Sequence, residues 1–518
     1  MTWSVSDDSN VSDVAVVGSG PNGLAAAVLF AAAGLSVTVV EAQSEPGGGV
    51  RTEELDLGVP LRHDLCSAVH PMAAASPFFR SFGLAERGVE FGFPDVSFAH
   101  PLDGTPAGIA YRSLDRTIEE LGGSNSSDGR IWRRVMGPLV EAVESVRDIG
   151  LSDMRHPPAS ALTPKGLVAA LTMAGRALEL GTSVWDRVTD AHRCGAMLTG
   201  VGAHANTALP SLAGAGTALL LGSLAHAPGW PLPIGGSQVI TDALVADLRA
   251  RGATVVCDRP IESAAALPPA RVYLFDTSAW TLAKVLGDLL APRYRRALRS
   301  FRPGNGVAKV DFALSEPVPW ADPRISAAGT VHLCGDRAQM KRSEADTTAG
   351  RHSERPMALL SQPTVVDATR IGAGGALPLW TYAHVPNGST RDMTATMTAQ
   401  IERFAPGFRD VIIGSRCIPA ADMHDHNANY RGGDIAVGQV SLFRMAARPV
   451  AKWDPYRTSL PNVYLCSGAT PPGPGVHGMS GVHAATRVLR QHFGIHSMPD
   501  IGPHRPESPT DRNCLPGV

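Results

Sequence analysis

The chain has 518 residues, 44% hydrophobic and 18% charged, with a formal net charge of −2 and no basic excess of the kind that binds nucleic acid. That length predicts two domains, and the polar, acidic opening "MTWSVSDDSNVSD" predicts neither a secretory signal nor a transit peptide. Seven cysteines without a C-x-x-C pair or zinc-type spacing predict a protein of the reducing cytoplasm with no metal site.

The first strong pattern is "DVAVVGSGPNGLAAAVLFAAAGLSVTVVEA". Residues 13–17 read as a buried parallel strand, 21–33 as a helix closed by Gly34, and 36–40 as a second strand. Between the first strand and the helix stands Gly18-Ser19-Gly20-Pro21 followed by Gly23, a G-x-G-x-x-G fingerprint. Gly18 permits the tight turn and Gly20 the approach of a pyrophosphate to the backbone. Gly23 permits helix–strand packing, and the helix N-terminus faces the phosphates. Glu41, followed by Ala42, stands where a carboxylate binds the ribose of an adenosine. Strand, glycines, helix, strand and acid in this order predict a dinucleotide site.

Shortly after comes "EAQSEPGGGVRT", with Gly47, Gly48, Gly49 and Arg51. A second glycine turn with an arginine supplies extra donors for a diphosphate that runs past the first βαβ unit. Flavoproteins of the glutathione-reductase type carry such a G-G-x-x-R-T element, which favours FAD over NAD alone.

Residues 194–241 contain no Asp, Glu, Lys or Arg. The expected structure is a buried helix pair beside the cofactor, with peripheral membrane contact as a secondary expectation; proline, glycine and small polar residues make a membrane span a poor fit. Next, "PLPIGGSQVITDALVADLRARGATVVCDRPIES" predicts an amphipathic helix with Ile240, Leu244 and Leu248 on its buried face, then a strand at 253–257. "ARVYLFDTSAW" adds a strand at 272–275. "RSEADTTAGRHSERP", over 342–356, reads as a mobile loop or lid. "HDHNANY", with His424, His426 and Tyr430, reads as a pocket loop without a metal.

"LPNVYLCSGATPPGPGVHGMSGVHAATRVL" predicts a strand at 463–466, then Gly468, a loop, and a helix starting near Gly478. A helix N-terminus offers N–H groups and a favourable dipole to the negative edge of a reduced flavin. Gly475, Gly478 and Met479 are expected beside the ring, the glycines because bulky side chains would obstruct it.

These segments, with "PGGGVRTEE", "RHDLCSAVHP", "AHAPGWPLPIGGSQ", "LFDTS", "YAHVPNGS", "IERFAPGFRD" and "NANYRGGDI", resemble the phytoene-desaturase-like FAD-dependent oxidoreductases over residues 12–494. The nearest branch is that of pyridine nucleotide-disulphide oxidoreductase domain-containing protein 2 and its bacterial relatives. The disulphide in that name does not transfer, because no closely spaced cysteine pair is present. The resemblance implies an α/β fold with two dinucleotide-binding-type domains, FAD as cofactor, an inserted α+β substrate domain, and Ile261 beside the adenine. The expected division is FAD segments at 1–85, 231–300 and 441–495. Substrate-domain parts are expected at 86–230 (mostly helical) and 301–440, and a disordered tail at 496–518.

Three histidines are expected to serve proton transfer: His477 and His70, in segments that should touch the flavin, and His384 in "YAHVPNGS". The expected reaction is a dehydrogenation or desaturation, with hydride passing from an apolar or amphipathic molecule to flavin N5 and electrons leaving to oxygen or a quinone. Three other readings stay open: an amine oxidase with a lysine near N5 and an aromatic cage, a redox-neutral isomerase, and a non-catalytic interaction protein stabilised by FAD.

Overall fold

Residues 14–17 are apolar on both faces because protein covers both sides of the strand to which they belong, Ser12–Val17, whose Val14, Ala15 and Val16 are fully buried. The computed structural model describes residues 11–188 and 192–503; the expectations for 1–10 and 504–518 lie outside these. Ser12–Val17 is the centre of a parallel sheet ordered Val463–Leu465, Ala270–Phe275, Ser12–Val17, Val37–Val40, Thr254–Val256. Three distant stretches of chain therefore build one mixed α/β nucleotide-binding core.

Helices Pro21–Ala32, which follows the first strand, and Met479–His492, which follows the last, cover one face of this sheet together with Gln238–Ala250, which buries Ile240, Leu244 and Leu248 in the same core. The first two helices pack directly on each other. They cross very closely. A Cβ on Gly481 would lie 1.8 Å from the backbone oxygen of Asn22, so only glycine fits at the crossing.

A second sheet has seven strands, ordered Ile412–Ile418, Gly306–Leu314, Leu377–Val385, Ala358–Ser361, Ala328–Leu333, Val96–Leu102, Thr105–Tyr111. Alternation along Gly306–Leu314 sends Ala308, Val310 and Phe312 into a core of their own and turns Val307, Lys309 and Asp311 to the opposite face. Trp380 and Tyr382 share the face of Asp311 and Lys309 across the strand pair and belong to the apolar cluster shared with the nucleotide sheet. The functional cavity opens beside this face.

The uncharged stretch forms helices His192–Gly202 and Leu212–Ala225, which bury small residues against each other; a Cβ on Gly202 would meet the carbonyl oxygen of Gly214 at 2.9 Å. Among the described residues no helix is long and apolar enough to cross a membrane. An exposed apolar face lies earlier in the chain, on helix Pro164–Leu180, where Val168 is 64% and Leu171 74% exposed.

Two expectations change. Residues 342–348 are the second half of helix Arg337–Thr348 and no lid, because Glu344 is fully buried and bonds His384. Residues 496–503 pack on the nucleotide domain: Ile501 is buried, and Arg87 donates to its carbonyl at 3.2 Å.

Candidate active site

One cavity of about 1100 Å³ runs from the glycine turns to the helical part of the substrate region. It exceeds the roughly 300–1,000 Å³ that encloses one drug-sized ligand, so it has room for an extended cofactor and a substrate together.

Gly18, Ser19, Gly20, Pro21, Glu41, Ala42, Gly48 and Gly49 all line its nucleotide end. Gly18 has φ +95° and Gly48 φ +58°, and a Cβ on Gly48 would stand 3.1 Å from the Cα of Gly20, so the two glycine turns abut. Glu41 is buried and accepts the N–H groups of Ser19 at 2.9 Å and Gln43 at 3.0 Å. Ile261 lines the cavity beyond Glu41, together with Arg259 and Lys284.

Gly23 faces away from the cavity. Its N–H is donated to Asp276 Oδ2 at 2.8 Å, and a Cβ there would meet the Gly18 oxygen at 2.6 Å. The glycines of the fingerprint thus make room for the Asp276 segment as well as for a ligand. Burial, reinforced by nearby Glu41 against the opposing N–H groups of Gly23 and Gly20, pushes the Asp276 carboxyl up to about 7. Arg51 is also off the cavity: its Nη2 donates to the His426 carbonyl at 2.7 Å, tying the second glycine turn to the loop that carries His426, Asn427 and Tyr430.

At the far end, Ser67 to His70, Gly468, and Pro471 to His477 with Gly475 form the wall, whereas Gly478 and Met479 lie behind it. Gly478 is the left-handed N-cap of helix Met479–His492, with φ +72°. His477 spends both ring nitrogens on backbone: Nδ1 accepts from Met479 N at 3.0 Å, so Nε2 donates to Gly473 O at 3.1 Å. Burial lowers it to about 4, so it is a neutral clamp on the loop. His70 lines the cavity and is lowered to about 4 by burial. Its Nε2 lies 2.8 Å from Ser237 Oγ, whose own proton goes to Ser67 O, and its Nδ1 is buried without a partner. His384 is off the cavity, stacked on Tyr382 and bonded through Nδ1 to Glu344 Oε1 at 2.8 Å.

Several further cavity residues have no role predicted from the sequence, although Trp230 and Tyr382 fall inside the quoted segments "AHAPGWPLPIGGSQ" and "YAHVPNGS". Arg448 is buried, donates Nε to Gly468 O at 2.7 Å, and is lowered to about 10 by burial; it places a cation at the cavity wall. His204 and Trp230 come from the uncharged stretch. His204 Nε2 is 2.9 Å from His332 Nε2, and burial drops His204 to about 3. Trp380 and Tyr382 line the same wall, their rings perpendicular at 88°. Met154, Leu442 and Met445 line the cavity while 57%, 60% and 46% exposed, which places its mouth among apolar side chains. No metal-competent cluster and no disulfide occur among the described residues.

The residues present fit FAD: a two-glycine cradle that side chains would fill, a buried carboxylate beside it, and a continuous cavity ending at a buried arginine and a helix entrance.

Residues 16–82 match the family of NAD(P)-binding Rossmann-like domains. Over its length the chain is homologous to pyridine nucleotide-disulfide oxidoreductase domain-containing protein 2 of Rattus norvegicus, 23% identical and covering 92% of this chain and 93% of that protein. The branch read from the motifs is therefore supported. A component of the limonene dehydrogenase of Castellaniella defragrans is 31% identical over 124 residues, 24% of this chain and 22% of that protein. Among solved structures, a putrescine oxidase variant (15% identity, TM-score 0.58, 93% of this chain and 99% of that chain) shares the fold. So does cyclohexylamine oxidase from Brevibacterium oxydans (14%, TM-score 0.54, 92% and 97%).

Proposed function

We propose that the protein is an FAD-dependent oxidoreductase that dehydrogenates an apolar or amphipathic organic molecule. The observation that carries this reading is the single cavity joining a dinucleotide cradle to an apolar chamber with an apolar mouth. Bound in the cradle, the flavin supplies a hydride acceptor. Glu41 and the N-terminus of helix Pro21–Ala32 hold the adenosine and phosphates, and Arg448 offsets negative charge near Gly468. Leu151, Met173, Leu220 and Leu221 exclude water from the chamber, and His70 Nδ1 or His204, both neutral, takes the substrate proton. The resemblance to a limonene dehydrogenase component agrees with an apolar substrate. The exposed apolar face of helix Pro164–Leu180, whose Met173 lines the cavity, suits loading from a membrane surface. Oxygen or a quinone is the external acceptor.

An amine oxidase is the second reading, favoured by the perpendicular Trp380–Tyr382 pair and the fold of the solved relatives. Against it, the cavity's one lining lysine, Lys284, stands at the adenosine end, 3.4 Å from Glu262. The carboxylate of the chamber, Asp153, is already paired with Arg155 and Arg487, each at 3.0 Å, so an ammonium substrate finds no free counter-charge there. Product analysis decides: a new carbon–carbon double bond from a hydrocarbon or ketone supports dehydrogenation, and an imine or aldehyde from an amine with no alkene from any test compound overturns it.

A further inference from the structure

The sheet beside the cavity carries a row of polar side chains with nothing to bond. Register sets Trp380 opposite Ser361, and Ser361 opposite Thr330, on three adjacent strands. With strands spaced about 4.8 Å apart, the three backbone positions span about 10 Å on one face, a distance that the long Trp380 side chain can bridge. Their exposures are 5%, 0% and 1%, and Trp380 Nε1, Ser361 Oγ and Thr330 Oγ1 are buried without a hydrogen-bond partner. Trp132, Trp230, Trp280 and Trp320, in contrast, each donate their indole N–H to a protein acceptor. An unmet buried donor costs about 1–3 kcal/mol, so a contiguous row of them beside a cavity marks a place where a ligand supplies the partner. Trp380 and Thr330 line that cavity.

The chemistry of the row selects the ligand atom. An indole N–H only donates, so the partner is an acceptor, and a carbonyl oxygen has two lone pairs to meet more than one donor. The charges nearest the row are spoken for. Asp311, opposite Trp380, is bonded to Lys309 and to His63. The neighbouring His204 and His332 are neutral through burial, so no cation is free to offset a carboxylate in this apolar setting.

Resting on the oxidoreductase reading above, we infer that the substrate bears a neutral carbonyl oxygen anchored by the two donors of the row that line the cavity, Trp380 and Thr330, with its apolar remainder toward Leu220 and Met173. The row acts as a specificity anchor that separates carbonyl compounds from plain hydrocarbons and fixes which carbon faces the cofactor.

The test uses the purified flavin-loaded protein with cyclooctanone, and cyclooctane as control. Calorimetry reads affinity, and infrared difference spectroscopy reads the carbonyl stretch of the bound ketone. The expected result is binding with the stretch displaced to lower frequency than in an alkane solvent. In Trp380→Phe and in Thr330→Val the stretch moves back toward the solvent value and affinity falls roughly three- to tenfold in each. Failure of cyclooctanone to bind, or wild-type affinity and an unmoved stretch in both variants, overturns the anchor. Flavin content measured on the same samples separates the two readings: flavin-free protein that still binds the ketone through these groups refutes the cofactor and keeps the anchor.

Discussion

Asp276 Oδ2 accepts the backbone N–H of Gly23 at 2.8 Å, joining residues 253 apart in sequence at the entrance of the first helix. A carboxyl at a helix N-terminus gains from the dipole, yet burial and the nearby Glu41 raise this one to about 7. A raised carboxyl contributes stability that is complete below its unfolded value of 3.8 and is lost as pH rises toward about 7. A diphosphate held at Gly20 adds further negative charge beside the same group. Cofactor retention is therefore expected to weaken by roughly tenfold between pH 6 and 8, and Asp276→Asn to flatten that dependence. Equilibrium dialysis of FAD against pH checks this; an identical slope in the variant contradicts it.

Glu41 is expected to be the principal adenosine contact. Glu41→Gln keeps the shape and loses the charge, and FAD affinity is expected to fall roughly ten- to hundredfold. Fluorescence titration with FAD reads the loss, and unchanged affinity would remove Glu41 from the site.

The C-terminal glycines separate packing from cofactor contact. Gly481→Ala drives a Cβ to 1.8 Å from Asn22 O, whereas a Cβ on Gly494 meets nothing within 4 Å and only its φ of +67° resists. Gly481→Ala is expected to cost about 3 kcal/mol or more, by overpacking, and to shed flavin; Gly494→Ala costs about 1 kcal/mol. Thermal unfolding of the two variants distinguishes them, and equal midpoints would contradict the close helix crossing.

Buried histidines set the acid limit. His70, His100, His226, His477 and His483 are each lowered to about 4, by burial first. Groups depressed in this way stabilise the fold fully above 6.5 and lose that contribution as pH falls toward 4. The unfolding midpoint is expected to drop steeply between pH 6.5 and 4. A midpoint that stays level across that window would show that these rings are not buried as neutral groups.

The apolar face of helix Pro164–Leu180 gives a further expectation. Replacing Val168 and Leu171 by Glu is expected to abolish cosedimentation with lipid vesicles and to leave flavin content intact. Equal sedimentation of variant and wild type removes the membrane-surface proposal.

Much of the cradle is legible in the sequence because it is local: Gly18, Gly20 and Glu41 sit within one strand–helix–strand unit whose periodicity and spacing name it. Asp276 and Arg448 are not, since each acquires its role through contacts that no sequence window spans. The same local logic makes His477 and Gly478 ring contacts; the fold instead uses His477 as a backbone clamp facing the cavity and sets Gly478 behind the wall as a cap. Residues 342–356 read as a mobile loop or lid because their charges look solvated, but 342–348 are helical and Glu344 finds His384 on a strand 40 residues away. The polar row of Trp380, Ser361 and Thr330 depends on strand register, which is set only when the seven-stranded sheet assembles.

The most direct test is an anaerobic visible spectrum of the purified protein, before and after addition of an apolar ketone or alkene precursor. A stoichiometric flavin band that bleaches with substrate and returns with oxygen or a quinone is the expected result. A protein that binds no flavin even after reconstitution with FAD would contradict it.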